Sequence, residues 1–359
     1  MKRIWFISMF LMTSTLIVKA QSANDVLNVL IENGTLKQEQ ADSLRADAAI
    51  KQQDADAKKK IFQVTSTKAL KISGYGDFRY QIQQEKGKSD GFDVRRAYLD
   101  VKGDITPYWN YRLQTDFAGT PKIVDVYTEF KINDKLNFTI GQQILPFSLN
   151  NVTSNTKLEL ADRSQVVEAL SSRKGDVLGD NNGRDIGISV YGSFLPVRKL
   201  NLIEYRIGVF NGSGINKSDL NDDKDVVGRV LLHPVNGLDI GGSYYIGYTP
   251  DSTTLNNKTV STQLGLRKRI GGEICYTYKF LNFKAEYLIG KDGLVEKSGY
   301  YGQLTAFVIP DKLQVAGRYD VYDKNTDKDD NITTNITLGT NFFINKNALL
   351  QVAYTLRQE

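Results

Sequence analysis

The sequence has one cysteine and one histidine among 359 residues, and both scarcities exclude classes of function. A single cysteine, Cys275, cannot form a disulfide within the chain, which excludes a disulfide-stapled scaffold. A single histidine, His233, excludes most zinc sites and argues against a histidine-based catalytic triad. No serine lies in a nucleophile setting. The residues therefore predict neither a cofactor nor an enzyme.

Long apolar runs are equally scarce, and one of them opens the chain. Lys2 and Arg3 precede an apolar stretch over residues 4–18, and Ala20 ends a small-residue cleavage site. This order predicts a secretory signal peptide over residues 1–20. The stretch is shorter than the ~20 residues that a membrane-spanning helix needs. No later stretch reaches that length without charge, so no membrane helix is predicted.

A large excess of basic or of acidic residues is also missing. Removal of residues 1–20 takes three of the 46 basic residues, which leaves 43 against 41 acidic ones. A nucleic-acid partner calls for a clustered basic face, and such a partner is not predicted here. The 30 glycines, the 19 tyrosines and a mean hydropathy of −0.35 instead suit a barrel wall with one apolar and one polar face.

Apolar and polar residues alternate along residues 92–144 and, with interruptions, to the end of the chain. In one segment Trp109, Tyr111 and Leu113 alternate with Asn110 and Arg112. Alternation with a period of two predicts strands whose two faces differ chemically. Fifteen such segments follow residue 70, and short connections take turns with longer, polar ones. This sorting favours an all-β, antiparallel transmembrane β-barrel over a soluble one.

Two segments break the β pattern. Residues 21–70 show a short apolar stripe at helical spacing, which predicts a helical periplasmic segment that serves as a linker. A helical hairpin that contacts neighbouring subunits is the alternative. Residues 146–183 form the longest connection of the barrel at 71–359. Because its apolar residues need burial, we expect it to fold inward and narrow the lumen, rather than lie outside over the mouth: Leu158, Leu160, Val166, Val167 and Leu170.

Several motifs carry a resemblance to a known family. They are ISGYGDFRY at 72–80, FDVRRAYLDVKGDI at 92–105, YRLQTDFAG at 111–119 and the TSN…LADRS segment at 153–164. The chain resembles the phosphate-selective porin O and P family, in particular Bacteroidetes-type members, whose short periplasmic prefix is similar to residues 21–70. The resemblance implies a β-barrel pore of about 16 strands in the outer membrane of a Gram-negative bacterium. It also implies a homotrimer that passes phosphate or related anions.

The alternation directs a nearly balanced set of charges into the lumen, and most of them are predicted to form cross-strand ion pairs. Oxyanions are bound best by guanidinium groups, so the candidate anion path consists of arginines. Two of them belong to the long loop and are candidates for the constriction. The full set is Arg96, Arg112, Arg163, Arg173, Arg229, Arg267, Arg269 and Arg318.

The predicted function is an outer-membrane porin for passive diffusion of small anionic or polar solutes, of which phosphate-type anions fit best. Its partners would be those solutes, outer-membrane lipid and copies of itself. Two alternatives stay open, a barrel hydrolase that uses loop carboxylates and a surface-attachment barrel. The acidic loops at 219–225 and 323–331 space oxygens as calcium loops do, but lack the glycine and closing glutamate of the helix-flanked calcium motif.

The strand count is odd, whereas single-chain bacterial barrels have an even number of strands. With fifteen strands the first and last strands cannot close the barrel by antiparallel pairing. We therefore expect that the native gene product continues past Glu359 with a sixteenth strand. The alternative is a second strand hidden in residues 259–280. The first expectation predicts an open seam between the strand that starts at Lys71 and the one that starts at Ala348.

Overall fold

The computed structural model describes residues 23–38, 40–41, 44, 70–83, 87, 89–197, 200–219, 221–249 and 265–359. The chain divides into two units, Met1–Thr65 and Ser66–Glu359. In the first, helix α1 (Ala23–Glu32) is followed by a turn at Gly34, whose φ of 69° is the left-handed conformation that glycine adopts without strain. The predicted signal peptide lies outside the described residues. In the described parts of the chain, no helix has the length and apolar character to cross a membrane.

Fifteen antiparallel strands form a single sheet in the second unit, and each is hydrogen-bonded to its neighbours in chain order. The strands are β1 (Lys71–Gln81), β2 (Gly91–Thr106), β3 (Trp109–Asp116), β4 (Lys122–Asn133), β5 (Leu136–Ile144), β6 (Arg184–Val197), β7 (Leu200–Phe210), β8 (Asp225–Val235), β9 (Leu238–Tyr248), β10 (Leu266–Tyr278), β11 (Leu281–Asp292), β12 (Val295–Ile309), β13 (Leu313–Asp323), β14 (Ile332–Asn345) and β15 (Ala348–Gln358). All fifteen predicted segments are confirmed as strands, with ends within about three residues.

The two faces of the sheet differ as the alternation predicted. Along β10, the charged residues Arg267, Arg269 and Glu273 are buried, while Lys268 and Ile270 between them are exposed. Along most strands the outward face carries exposed aliphatic and aromatic side chains. A water-soluble barrel would place these apolar side chains inside. The exposed apolar face is the arrangement that lipid requires.

The connections sort onto the two ends of the sheet. One end, the tight-turn rim, carries two- and three-residue turns at 107–108, 134–135, 236–237, 279–280, 310–312 and 346–347. The other end, the loop rim, carries the connections at 82–90, 117–121, 145–183, 211–224, 249–265 and 324–331. One expectation was wrong. The connection of β11 to β12 at the loop rim has only two residues, because both strands extend their pairing as far as Asp292 and Val295.

The segment at 146–183, hereafter the long loop, packs against the inner face of the sheet. It contains helix α2 (Leu149–Val152), a 3-10 turn (Asn155–Lys157) and helix α3 (Gln165–Leu170). Its apolar side chains join wall residues in one buried cluster: Leu145, Phe147, Val166, Val167, Ala169, Leu170, Phe210, Val227, Tyr245, Leu288, Tyr301 and Tyr322. The core therefore lies inside the curved sheet, between the loop and the wall.

β1 and β15 are the edges of the sheet, and no pairing joins them among the described strands. The open seam that the odd strand count predicted is present. Within residues 266–278 there is one strand, and residues 250–264 lie outside the described part of the chain. The long loop contacts both edges. Asn155 donates to the hydroxyl of Tyr75 on β1 at 3.3 Å, and Gln351 on β15 donates to the carbonyl of Leu158 at 3.5 Å.

Candidate functional site

Two carboxylates of the wall cap the helices of the long loop. Glu286 on β11 accepts hydrogen bonds from the backbone N–H groups of Leu149 (2.9 Å) and Asn150 (2.7 Å) at the start of α2. It also accepts one from the hydroxyl of Tyr301 at 2.7 Å. The first N–H groups of a helix have no partner within the helix, so an acceptor at this position stabilises the helix and fixes its place.

Helix α3 is held in the same way on another strand. Asp320 on β13 accepts from the hydroxyl of Ser164 and from the backbone N–H of Gln165, both at 2.9 Å. The side-chain amide of Gln165 donates to the carbonyls of Asp320 (3.0 Å) and Thr333 (2.8 Å). The two caps lie on strands β11 and β13, which fixes the loop across several strands of the wall.

Cations of the wall hold the loop backbone between the two helices. Arg318 on β13 donates to the carbonyls of Asp162 (2.8 Å) and Arg163 (3.1 Å), and Arg95 on β2 donates to the carbonyl of Ala161 at 2.6 Å. Lys284 on β11 forms an ion pair with Glu159 of the loop. These contacts reach from β2 to β13, so the loop crosses the space that the sheet encloses.

A polar cavity of about 160 Å³ remains between the long loop and strands β1 to β7. Five arginines line it, together with two carboxylates, three tyrosines and the amides of four residues. The arginines are Arg112, Arg163, Arg173, Arg184 and Arg206, and the carboxylates are Asp125 and Glu129. The tyrosines are Tyr75, Tyr98 and Tyr127, and the amides are those of Gln114, Gln143, Asn151 and Asn155. Five guanidinium groups against two carboxylates give the lining a surplus of positive charge.

Arg163 and Arg173 belong to the loop side of this cavity and are about 95% buried. Arg163 donates to the carbonyls of Asn150 (2.8 Å) and Thr153 (2.6 Å) and to Oδ1 of Asn155 (2.7 Å). Arg173 donates to Oδ1 of Asn151 at 2.7 Å. Burial lowers the pKa of Arg163 to about 10, and burial followed by the charge of Arg163 lowers the pKa of Arg173. At neutral pH Arg163 is therefore charged, with neutral acceptors as its partners.

On the wall side, two arginines share one carboxylate. Arg112 and Arg184 lie 3.1 and 2.6 Å from the carboxylate oxygens of Asp125, and Arg112 also donates two bonds of 3.0 Å to Asp100. Arg206 differs, because its guanidinium lies 4.3 Å from the ring centre of Tyr191. Among the described residues, no carboxylate lies within 4 Å of Arg206, Arg163 or Arg173, so the surplus charge is concentrated on these three.

The structure brings Arg112, Arg163 and Arg173 of the predicted arginines together in the cavity. The others lie elsewhere: Arg96 pairs with Asp77, Arg229 pairs with Glu273, and Arg318 holds the long loop. Arg267 and Arg269 are 1% exposed and face Asp176, Asp225 and Asp292. The place of these five arginines in the anion path stays a prediction.

Two cavity arginines were missing from the predicted path. Alternation puts Arg206 on the inward face of β7, and Arg184 directly follows the long loop, so both had a signal in the sequence.

In the described part of the chain, no three His, Cys, Asp or Glu side chains are arranged to hold a metal ion. Guanidinium groups in such a cavity can donate charge-assisted hydrogen bonds to an oxyanion.

Comparisons with known proteins agree with this architecture. Among solved structures, the chain is similar to an anion-selective porin from Comamonas acidovorans, with 15% identity, a TM-score of 0.60, and coverage of 81% of this chain and 90% of that one. OprB from Pseudomonas putida has 11% identity and a TM-score of 0.62, with coverage of 81% of this chain and 89% of that one. The trimer form of OmpT from Vibrio cholerae has 13% identity and a TM-score of 0.53, with coverage of 80% of this chain and 89% of that one. These identities show the fold alone.

Sequence comparison decides the family. A comparison with curated proteins gave no match. The family profile described as phosphate-selective porin O and P matches residues 71–359, a range that contains every strand of the sheet and the long loop. The chain is thus an outer-membrane porin and belongs to the phosphate-selective porin O and P family.

Proposed function

We propose that the protein is a passive channel for small anionic and polar solutes, and that phosphate-type oxyanions pass through the arginine-lined cavity. The observation that carries the proposal is the surplus of guanidinium groups, five against two carboxylates, in the cavity between the long loop and strands β1 to β7. The remaining predicted arginines, such as Arg318, support this path by holding the loop and wall in place.

Passage requires that an anion enters easily and also leaves easily. Arg163, Arg173 and Arg206 attract the anion, because their contacts among the described residues are to carbonyl and amide oxygens or to an aromatic ring, and none is to a carboxylate. Their N–H groups replace part of the hydration shell that the anion loses. Arg112 and Arg184 are shared with Asp125, which weakens their hold on a solute. An anion can therefore exchange between neighbouring guanidinium groups rather than bind tightly to one.

Planar-bilayer recording tests the proposal. The wild-type protein should give discrete conductance steps and a reversal potential that shows anion preference in a KCl gradient. Arg206→Gln should reduce this preference, because it removes an unpaired cavity charge without breaking an ion pair within the described residues. Lys328→Gln, the same charge change at an exposed position of the connection at 324–331 at the loop rim, is the matched control and should leave this preference unchanged. Cation preference of the wild type would contradict the proposal.

The same recording separates the two alternative functions. A barrel hydrolase would show no conductance steps but measurable hydrolysis, and a surface-attachment barrel would show neither. The family and the cavity both favour the channel. Deletion of the acidic loop at 323–331 should leave the conductance steps unchanged if the protein is a channel.

We also propose the following domain organisation and assembly. Residues 1–20 direct export, residues 21–70 are a periplasmic segment, and three copies associate in the outer membrane. The trimer form of the similar OmpT from Vibrio cholerae supports the last point. N-terminal sequencing of the mature protein tests the first, and chemical cross-linking of the purified protein tests the third. A monomer-only pattern would contradict the trimer.

A further inference from the structure

A row of titratable side chains lies at the tight-turn rim, at the other end of the sheet from the loops. His233 is the single histidine of the sequence and lies near the end of β8. Its Nδ1 is 2.6 Å from Oδ1 of Asp239 on β9, and its Nε2 is 3.7 Å from Oε1 of Glu204 on β7. Three adjacent strands thus place an imidazole between two carboxylates.

The hydrogen-bonding capacity of His233 differs between its two charge states. An ionised carboxylate only accepts, so Nδ1 carries the hydrogen donated to Asp239. In the neutral ring Nε2 is then an acceptor, and it is buried without a hydrogen-bond partner, opposite the acceptor oxygen of Glu204. In the charged ring Nε2 carries a hydrogen that faces Glu204. Only the charged ring is complementary to both carboxylates.

The charge of this group is accessible to a solute in the lumen. The side chains of Glu204 and Asp239 are 52% and 44% exposed, while that of His233 is 15% exposed. With a neutral imidazole the three side chains carry a net charge of −2, and with a charged imidazole they carry −1. An anion that leaves the channel by this rim therefore meets less repulsion when His233 is charged.

In the described part of the neighbouring strands, basic side chains near this group are paired with other carboxylates. Arg229 on β8 pairs with Glu273 on β10, and Lys284 on β11 pairs with Glu159 of the long loop. Cys275 on β10 is the register partner of Asp239 and is half-buried. Histidine is the residue type that ordinarily changes its charge between pH 5 and 8, and the sequence has no second one.

We propose that Glu204, His233 and Asp239 form a second selectivity site at the tight-turn rim, whose net charge makes anion preference depend on pH. This inference rests on the proposed channel function. Protonation adds positive charge as the pH falls, so anion preference rises from pH 8 to pH 5. The arginines of the cavity keep their charge over this range and set the preference that remains at pH 8.

Reversal potentials at pH 5 and pH 8 test the proposal, at or below ~0.1 M salt so that screening does not hide the rim charge. In water, one added charge at ~5 Å changes the local concentration of a monovalent ion about fourfold. The wild-type anion-to-cation permeability ratio should therefore rise about two- to fourfold from pH 8 to pH 5. In His233→Gln the ratio should be the same at both pH values. Glu204→Gln, which removes one negative charge, should bring the ratio at pH 8 close to the wild-type value at pH 5.

Cys275→Ser is the matched control at the same rim, and it should keep the wild-type response to pH. Folding of each variant is checked by the shift of the barrel band on heating in gel electrophoresis. A wild-type ratio that is equal at both pH values overturns the inference, as does a full response in folded His233→Gln. In either case an anion preference leaves the proposed function standing, whereas a wild type without conductance steps overturns both.

Discussion

The cap that Glu286 provides for helix α2 gives a quantitative prediction about the long loop. Glu286→Gln keeps the size of the side chain, but replaces one acceptor oxygen by a donor NH2 group that faces a backbone N–H. The N–H of Leu149 or of Asn150 then loses its acceptor, which costs about 1–3 kcal/mol. At about 1.4 kcal/mol per factor of ten, ~2 kcal/mol makes local opening of this part of the loop about 30-fold more frequent.

Amide hydrogen exchange measures that opening directly. Exchange at α2 should accelerate about 30-fold in Glu286→Gln, and single-channel records should become noisier as the loop leaves the wall more often. Glu296→Gln is the matched control, because the side chain of Glu296 forms an exposed ion pair with Lys291, and exposed ion pairs contribute little to stability. Exchange at α2 within about threefold of wild type would refute the role assigned to Glu286.

Three further predictions concern the loop. Deletion of residues 156–174 should raise single-channel conductance, and unchanged conductance in a folded protein would show that the loop does not constrict the pore. Arg163→Glu should lower the anion-to-cation permeability ratio; if the ratio is unchanged, the three hydrogen bonds of Arg163 are its only role. Gly183→Ala should lower the free energy of unfolding in urea by ~1–3 kcal/mol, because φ of Gly183 is 72° and a Cβ would lie 2.0 Å from Oδ1 of Asn151. Gly272→Ala is the control, since a Cβ at that position would meet no atom within 4 Å.

The strands could be predicted from the sequence because each one separates two environments. The apolar side chains of β8 and β10 that face outward, such as Val230 and Ile270, alternate with inward polar ones such as Arg229 and Glu273. This signal is local, so it needs no knowledge of neighbouring strands. It also shows which arginines face inward. It cannot show which carboxylate each arginine reaches. Arg229, for example, pairs with Glu273, whereas Arg206 lies against the ring of Tyr191.

Contacts of the loops lie beyond such local signals. Glu286 and Asp320 are ordinary inward residues of their strands until the long loop, more than 130 positions earlier, places its helix ends on them. The connection at 211–224 gives a second example. It resembles an external polar loop in sequence, yet Ile215 is buried because the N–H groups of Gly212 and Gly214 donate to Asp185.

The contacts of the long loop with both edge strands have a consequence for the order of folding. Its bonds to Tyr75 and to Gln351 connect residues 80 and 193 positions apart, and the strands between those two residues form almost the entire sheet. Contacts between such distant positions require closure of long chain segments, which is entropically costly and slow. Strand pairing, which proceeds between sequence neighbours, must bring β1 and β15 near each other first. We therefore expect the long loop to be the last part of residues 71–359 to reach its native position.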